Sequence, residues 1–154
     1  MPYLKLKTVI HEILSAQSGV GQIMNGWNIF DNDEAFRQEG SYVVLVDGIE
    51  TNLPNAENRW SLLRSQLSIH AIKTDPADGT TTDQLREIIN EQAMKIRRLM
   101  KNNPFLISTS APSGFATHSI LMEVEKGKLV LPDGIARQSA WIKLEASHMK
   151  DETS

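Results

Sequence analysis

Four histidines, His11, His70, His118 and His148, are the residues to question first for chemistry. A neutral imidazole ligates metals and moves protons near neutral pH. Their spacings match no standard metal motif, which needs paired ligands a few residues apart. The nearest approach to a metal site is His70 with His118 on two strands, completed by a carboxylate such as Glu123. Ordinary surface or rim histidines are the preferred reading. The chain has no cysteine, which excludes thiol catalysis, Cys-based zinc sites and a disulfide framework, and fits folding in a reducing compartment. Ser110-Ala111-Pro112-Ser113-Gly114 places serines in a loop, without the strand and helix that flank a nucleophile elbow. A Ser, a His and an Asp can be gathered from distant parts of most sequences, so their presence here carries no weight. Ser18-Gly19-Val20-Gly21 lacks the Gly-Lys-Ser/Thr of a phosphate loop and follows a helix instead of preceding one, so it reads as a helix cap. The expectation is therefore no catalytic residues, no metal and no cofactor.

Charge gives two further candidates. Asp31, Asp33, Glu34 and Glu39 form an acidic stretch, read either as a solvated turn or as a rim that repels or guides a polyanion. Lys95, Arg97, Arg98 and Lys101 close a predicted helix, where cations complement the negative end of its dipole. A formal net charge of −3 disfavours a general phosphate-binding surface. Trp27, Trp60 and Trp141 read as core or as interface anchors, since tryptophan is enriched at hot spots. No run approaches the roughly 18 apolar residues of a membrane span, and Lys5, Lys7, His11 and Glu12 interrupt the apolar residues near the start, so neither a span nor a secretory signal is expected.

The elements that must position these residues follow from periodicity. The length, 154 residues, suits one domain able to bury about 70% of its unfolded surface. Leu6, Val9, Ile10, Ile13 and Leu14 recur at helical spacing within Leu4–Ala16. Asn28-Ile29-Phe30 reads as a short strand. Ser41–Val46 reads as a strand covered on both faces and ended by Asp47-Gly48, with a loop over Ile49–Asn58. From Arg59 to Lys73, Leu63, Leu67, Ile69 and Ala71 alternate with Arg64, Gln66, Ser68 and His70. This predicts a long strand with one core face, one face for solvent or a partner, and an end that projects from the sheet. Thr81 and Gln84 have capping-box spacing before a helix whose stripe is Leu85, Ile88, Ile89, Gln92, Ala93, Ile96, Leu99 and Met100. Asn102-Asn103-Pro104 ends it. Ala116–Glu125 and Gln138–Ala146 read as a closing hairpin joined through Gly127–Gly134, and residues 147–154 as a polar tail. The string predicts an α+β fold: one mixed, mostly antiparallel sheet with two main helices packed on one face, a single domain over 1–146.

This order resembles the tail-terminator (tail-completion) proteins of long-tailed bacteriophages. The piece that carries it best is Trp60–Lys73 leading through Thr74-Asp75-Pro76 into Asp83-Gln84-Leu85, and the likeness spans about Leu4 to Ala146. The resemblance implies a structural, non-enzymatic virion protein: a homo-hexameric ring at the head-tail junction, on the head-proximal end of the tail tube. Such a ring stops tube polymerisation and meets the head-closure or connector protein, with a sheath protein as a further partner in a contractile tail. DNA passes through the lumen without being held, and assembly takes place in the host cytoplasm. Its expected interface residues are Trp60, Arg64 and Gln66 with Lys128 and Asp133 of the 126–135 loop. The expected acidic lumen lining is Asp31, Asp33, Glu34 and Glu39. That loop, Lys126–Ile135, is longer than the compact pattern and leaves both tail types open. Three other readings stand beside it: a head-closure or neck protein of the same junction, a small α+β enzyme with dispersed site residues, and a nucleic-acid-binding module using the basic cluster.

Overall fold

The computed structural model describes residues 5–31, 40–53, 61–74, 82–130 and 136–150. Helix α1 spans Leu6–Ser15, and strands β1, β2 and β3 span Asn28–Phe30, Gly40–Leu53 and Ser61–Thr74. Helix α2 spans Thr82–Lys101, and strands β4 and β5 span Ala116–Val130 and Ala136–Lys150. The strands form one sheet in the order β1-β2-β3-β5-β4. Among the described residues the β1–β2 pair is parallel, and β2–β3, β3–β5 and β5–β4 are antiparallel. The fold is α+β, with a mixed, mostly antiparallel sheet, as the patterning requires.

Both helices lie on the same face. Leu6, Val9, Ile10, Ile13 and Leu14 of α1 are buried together with Ile89, Ala93, Ile96 and Met100 of α2. They meet Val43 and Leu45 of β2, Leu67, Ile69 and Ala71 of β3, and Ala140, Ile142, Leu144 and Ala146 of β5. Each larger side chain buried in this way stabilises the fold by about 1.5–3 kcal/mol. Gln92 interrupts the apolar stripe of α2 without cost to the core. Its amide donates to the Ile23 carbonyl at 2.8 Å and lies 3.3 Å from the Met24 sulfur, so a buried polar group keeps its partners. Ile88 departs from the expected stripe and is exposed. A smaller cluster, Tyr42, Val44 and Ile72 with Phe30 and Val46, occupies the other face, so β2 is covered on both sides there.

Three strand ends, and the placement of β3, differ from the sequence reading. β2 does not stop at Asp47-Gly48. It passes through a bulge between Asp47 and Glu50 and pairs on to Leu53, because an extra residue is absorbed by a local kink and need not end the ladder. Gly48 permits the kink: a Cβ there would lie 3.0 Å from Gln66 Cβ and 3.1 Å from its carbonyl oxygen. β4 and β5 also run on. Lys126, Gly127 and Lys128 pair with Ala140, Ser139 and Gln138, and Ser147–Lys150 pair with Arg64–Ser61. Backbone pairing continues through residues whose side chains look like a turn or a polar tail. Finally, β3 does not project from the sheet. It is the central strand, paired with β2 on one side and β5 on the other over nearly its whole length.

Candidate functional site

Placing β3 in the middle of the sheet fixes what its two faces do. Leu63, Ser65, Leu67, Ile69 and Ala71 point under the helices and are buried. Arg64, Gln66, Ser68 and His70 point to the face that carries no helix among the described residues. The register brings β5 residues beside them: Glu145 opposite Gln66, Lys143 opposite Ser68 and Trp141 opposite His70. Glu145 is the hub. One carboxylate oxygen accepts from Arg64 Nε at 3.0 Å, and the other accepts from the Gln66 amide at 3.1 Å. Four residues farther along β3, past the Ser68–Lys143 pair, the His70 and Trp141 rings stack with centroids 5.7 Å apart.

Two of the expected interface residues, Arg64 and Gln66, are therefore brought together, by a carboxylate the sequence reading did not single out. Lys128 lies on β4 opposite Gln138, with its side chain outside the described residues. Trp60 and Asp133 lie outside them altogether, as do Asp33, Glu34 and Glu39 of the acidic stretch. Asp31 is described and exposed. Its carboxylate is 2.7 Å from His11 Nδ1, and its backbone carbonyl accepts from Lys7 Nζ at 2.7 Å. Lys7 also pairs with Asp47 at 3.0 Å. The start of the acidic stretch is thus tied to α1 by two cationic or titratable side chains.

The histidines separate. β5 lies between β3 and β4, and the register sets His70 opposite Trp141 but His118 opposite Ser147, six positions along β5. Among the described residues no group of three His, Asp or Glu side chains is placed to hold a metal. His148 instead shares a 2.7 Å hydrogen bond with Ser65 through Nε2 and stacks on Phe115 with centroids 4.4 Å apart. The pairing has the atoms of a nucleophile and its base. The imidazole is 0% exposed and the serine 8%, and Ser65 also lines a cavity of about 110 Å3 together with Lys5, Leu6, Asp47, Ile49 and Glu50. No spacing signal links residues 65 and 148; only the β3–β5 register does.

A third cluster fixes the segment between α2 and β4. Asn103 clamps the backbone of Ile107, its amide nitrogen donating to the Ile107 carbonyl at 3.1 Å and its oxygen accepting from the Ile107 N–H at 3.0 Å. Ser110 donates its backbone N–H to Glu12 at 2.9 Å and its hydroxyl to the same carboxylate. Those two bonds, the hydroxyl first, hold the Glu12 carboxyl below its ordinary pKa. No family model matches the sequence, and no curated protein matches it.

Proposed function

We propose that this protein is a ring-forming structural component of a phage head-tail junction, which caps the head-proximal end of the tail tube and ends its polymerisation. The observation that carries the proposal is the helix-free sheet face, where Arg64, Gln66 and Glu145 are held in one network and the His70 and Trp141 rings stack four residues farther along β3. A closed ring needs each subunit to offer rigid, mixed polar and aromatic contact area, and a sheet face supplies it without ordering new backbone. The order of the elements adds its support, running helix, strands, helix and closing hairpin over nearly the whole chain. In this reading the partners are further copies of the chain, the tail tube protein and the head-closure or connector protein, with a sheath protein added if the tail contracts. The acidic stretch opening at Asp31 lines the passage for DNA, where carboxylates repel phosphates and keep the duplex sliding.

The test is negative-stain microscopy of tail tubes incubated with the purified chain. Caps at one tube end and an arrest of tube growth are expected. Binding along the tube wall, or tubes that lengthen as before, would refute the assignment. A neck protein of the same junction is the alternative, and a connector preparation separates the two: a terminator binds tube ends in its absence, and a head-closure protein binds the connector alone.

A further inference from the structure

Charge is segregated along this chain. From Gln92 to Met122 there is no aspartate or glutamate, although the chain holds 19 acidic residues, and Lys95, Arg97, Arg98 and Lys101 all fall in this stretch. Of a formal net charge of −3, the stretch therefore contributes +4 and the rest of the chain −7. Lys95 pairs with Glu91 at 3.4 Å, whereas Arg97, Arg98 and Lys101 pair with no carboxylate among the described residues. Arg98 and Lys101 are exposed and Arg97 is half-buried. Cations in a last turn complement the helix dipole. That does not account for the absence of acidic residues well beyond the end of α2.

The same segment displays two apolar side chains. Asn102 N–H bonds the Arg98 carbonyl, Asn103 N–H that of Met100 and Leu106 N–H that of Asn103, so the chain stays beside the end of α2. There Phe105 is 54% exposed and Ile107 51% exposed, while Leu106 between them is completely buried. Leu106 takes φ +52°, a left-handed backbone that a residue with a Cβ avoids. The Asn103 clamp on Ile107 holds it there, with the Phe115 and Ala116 N–H groups donating to the Phe105 carbonyl at 2.9 and 3.0 Å. Burying Leu106 turns both neighbours outward on a backbone that needs no further ordering to bind. Glu12, which α1 brings to this loop, has its carboxylate bonded by Ser110.

Size and charge together select the partner. Two half-exposed side chains offer on the order of 200 Å2, against roughly 800 Å2 on each side of a standard protein interface. A lipid surface sets no such threshold. It takes up individual apolar side chains at the headgroup boundary, and each nearby Lys or Arg adds its own attraction to anionic headgroups. Carboxylates elsewhere on the chain do not cancel this, because exposed charges more than about 8 Å away are screened at physiological ionic strength.

We propose that the end of α2 and the loop after it form a docking surface for an anionic lipid bilayer. Phe105 and Ile107 enter the headgroup layer, and Arg97, Arg98 and Lys101 face the lipid phosphates. The helices cover the opposite side of the sheet from Arg64, Gln66 and Glu145, so lipid binding leaves the proposed ring contact available. The inference does not depend on the ring.

The test is co-sedimentation of the purified chain with phosphatidylcholine vesicles, with and without phosphatidylglycerol, over a salt series. The wild type is expected to bind the anionic vesicles about tenfold or more tightly than the neutral ones, and to be released as salt rises. Arg98→Ala with Lys101→Ala is expected to weaken that binding about thirtyfold, from roughly fivefold per cation. Phe105→Ser is expected to weaken it by about tenfold with every charge in place. Circular dichroism and thermal melting confirm that each variant is folded. No vesicle binding, equal binding to neutral and anionic vesicles, or variants that bind like the wild type would overturn the docking surface. Retention on duplex DNA in place of vesicles, abolished in the same double, would assign the cations to nucleic acid and overturn it too. Vesicle binding without tube caps would refute the proposed function alone, and caps without vesicle binding would refute this inference alone.

Discussion

The two faces of β3 are built from alternate residues of one strand and behave differently. On the helix-covered side Leu63, Leu67, Ile69 and Ala71 are no more than 3% exposed, and the last three join a core cluster with apolar side chains of both helices and of the neighbouring strands. On the helix-free side Arg64 and Gln66 stay partly in water and share one carboxylate. Burial on the first face supplies the stability. Half-exposed ion pairs such as Arg64–Glu145 on the second add little to it. Interruptions of the pattern are informative: Ile72 lies on the second face and is completely buried with Tyr42 and Val44, so the helix-free face has an apolar end as well as a polar one.

The contrast is broken most strongly from the covered side. Leu67→Ala removes a core side chain between two paired strands and is expected to destabilise the protein by about 2–5 kcal/mol, read by urea denaturation. Gly114→Ala comes next. Gly114 has φ +103°, and a Cβ there would lie 3.1 Å from the Phe105 carbonyl oxygen and 3.2 Å from its Cβ, so a loss of about 1–3 kcal/mol is expected in the same assay. Ser65→Ala takes away the hydroxyl that His148 Nε2 bonds in the core and is expected to cost about 1–3 kcal/mol. The same serine decides the enzymatic alternative, because a buried structural hydroxyl is not labelled by a serine-reactive fluorophosphonate. Labelling of the wild type that disappears in Ser65→Ala would revive that alternative.

From the helix-free side the expected effects on folding are smaller. Arg64→Ala breaks a half-exposed ion pair and is expected to cost about 0.2–1 kcal/mol of stability, while weakening assembly if this face is the contact surface. The smallest effect is on pH dependence. Glu12 has a lowered pKa when folded, so the stabilisation from its Ser110 bonds is complete above its ordinary value of 4.5 and is lost as pH falls through the lowered one. Glu12→Gln is expected to remove that increment and flatten the acid limb of a stability–pH profile.

Much of the covered face was legible in the sequence. The helical spacing in α1 and α2 and the alternation in β3 each name their buried residues, because the period of a single element is a local property. Which strand lies beside which is not local, so the strand expected to project from the sheet is in fact the central one, paired over nearly its whole length. The Asp47-Gly48 turn signal misled for a related reason: dihedral freedom at glycine serves a bulge as well as a chain reversal. Of the candidate site, Arg64 and Gln66 were visible as the polar parity of β3. Glu145, which joins them, and Ser65 with His148 depend on a register between positions about eighty residues apart. The strained Leu106 had no signal at all, since leucine is the wrong residue type for a left-handed backbone.

The central claim is that this chain closes into a ring, and native mass spectrometry of the purified protein tests it most directly. The account predicts a discrete closed species of six copies of the 17.2 kDa chain, about 103 kDa. A monomer at every concentration, or an open ladder of sizes with no closed species, would contradict it.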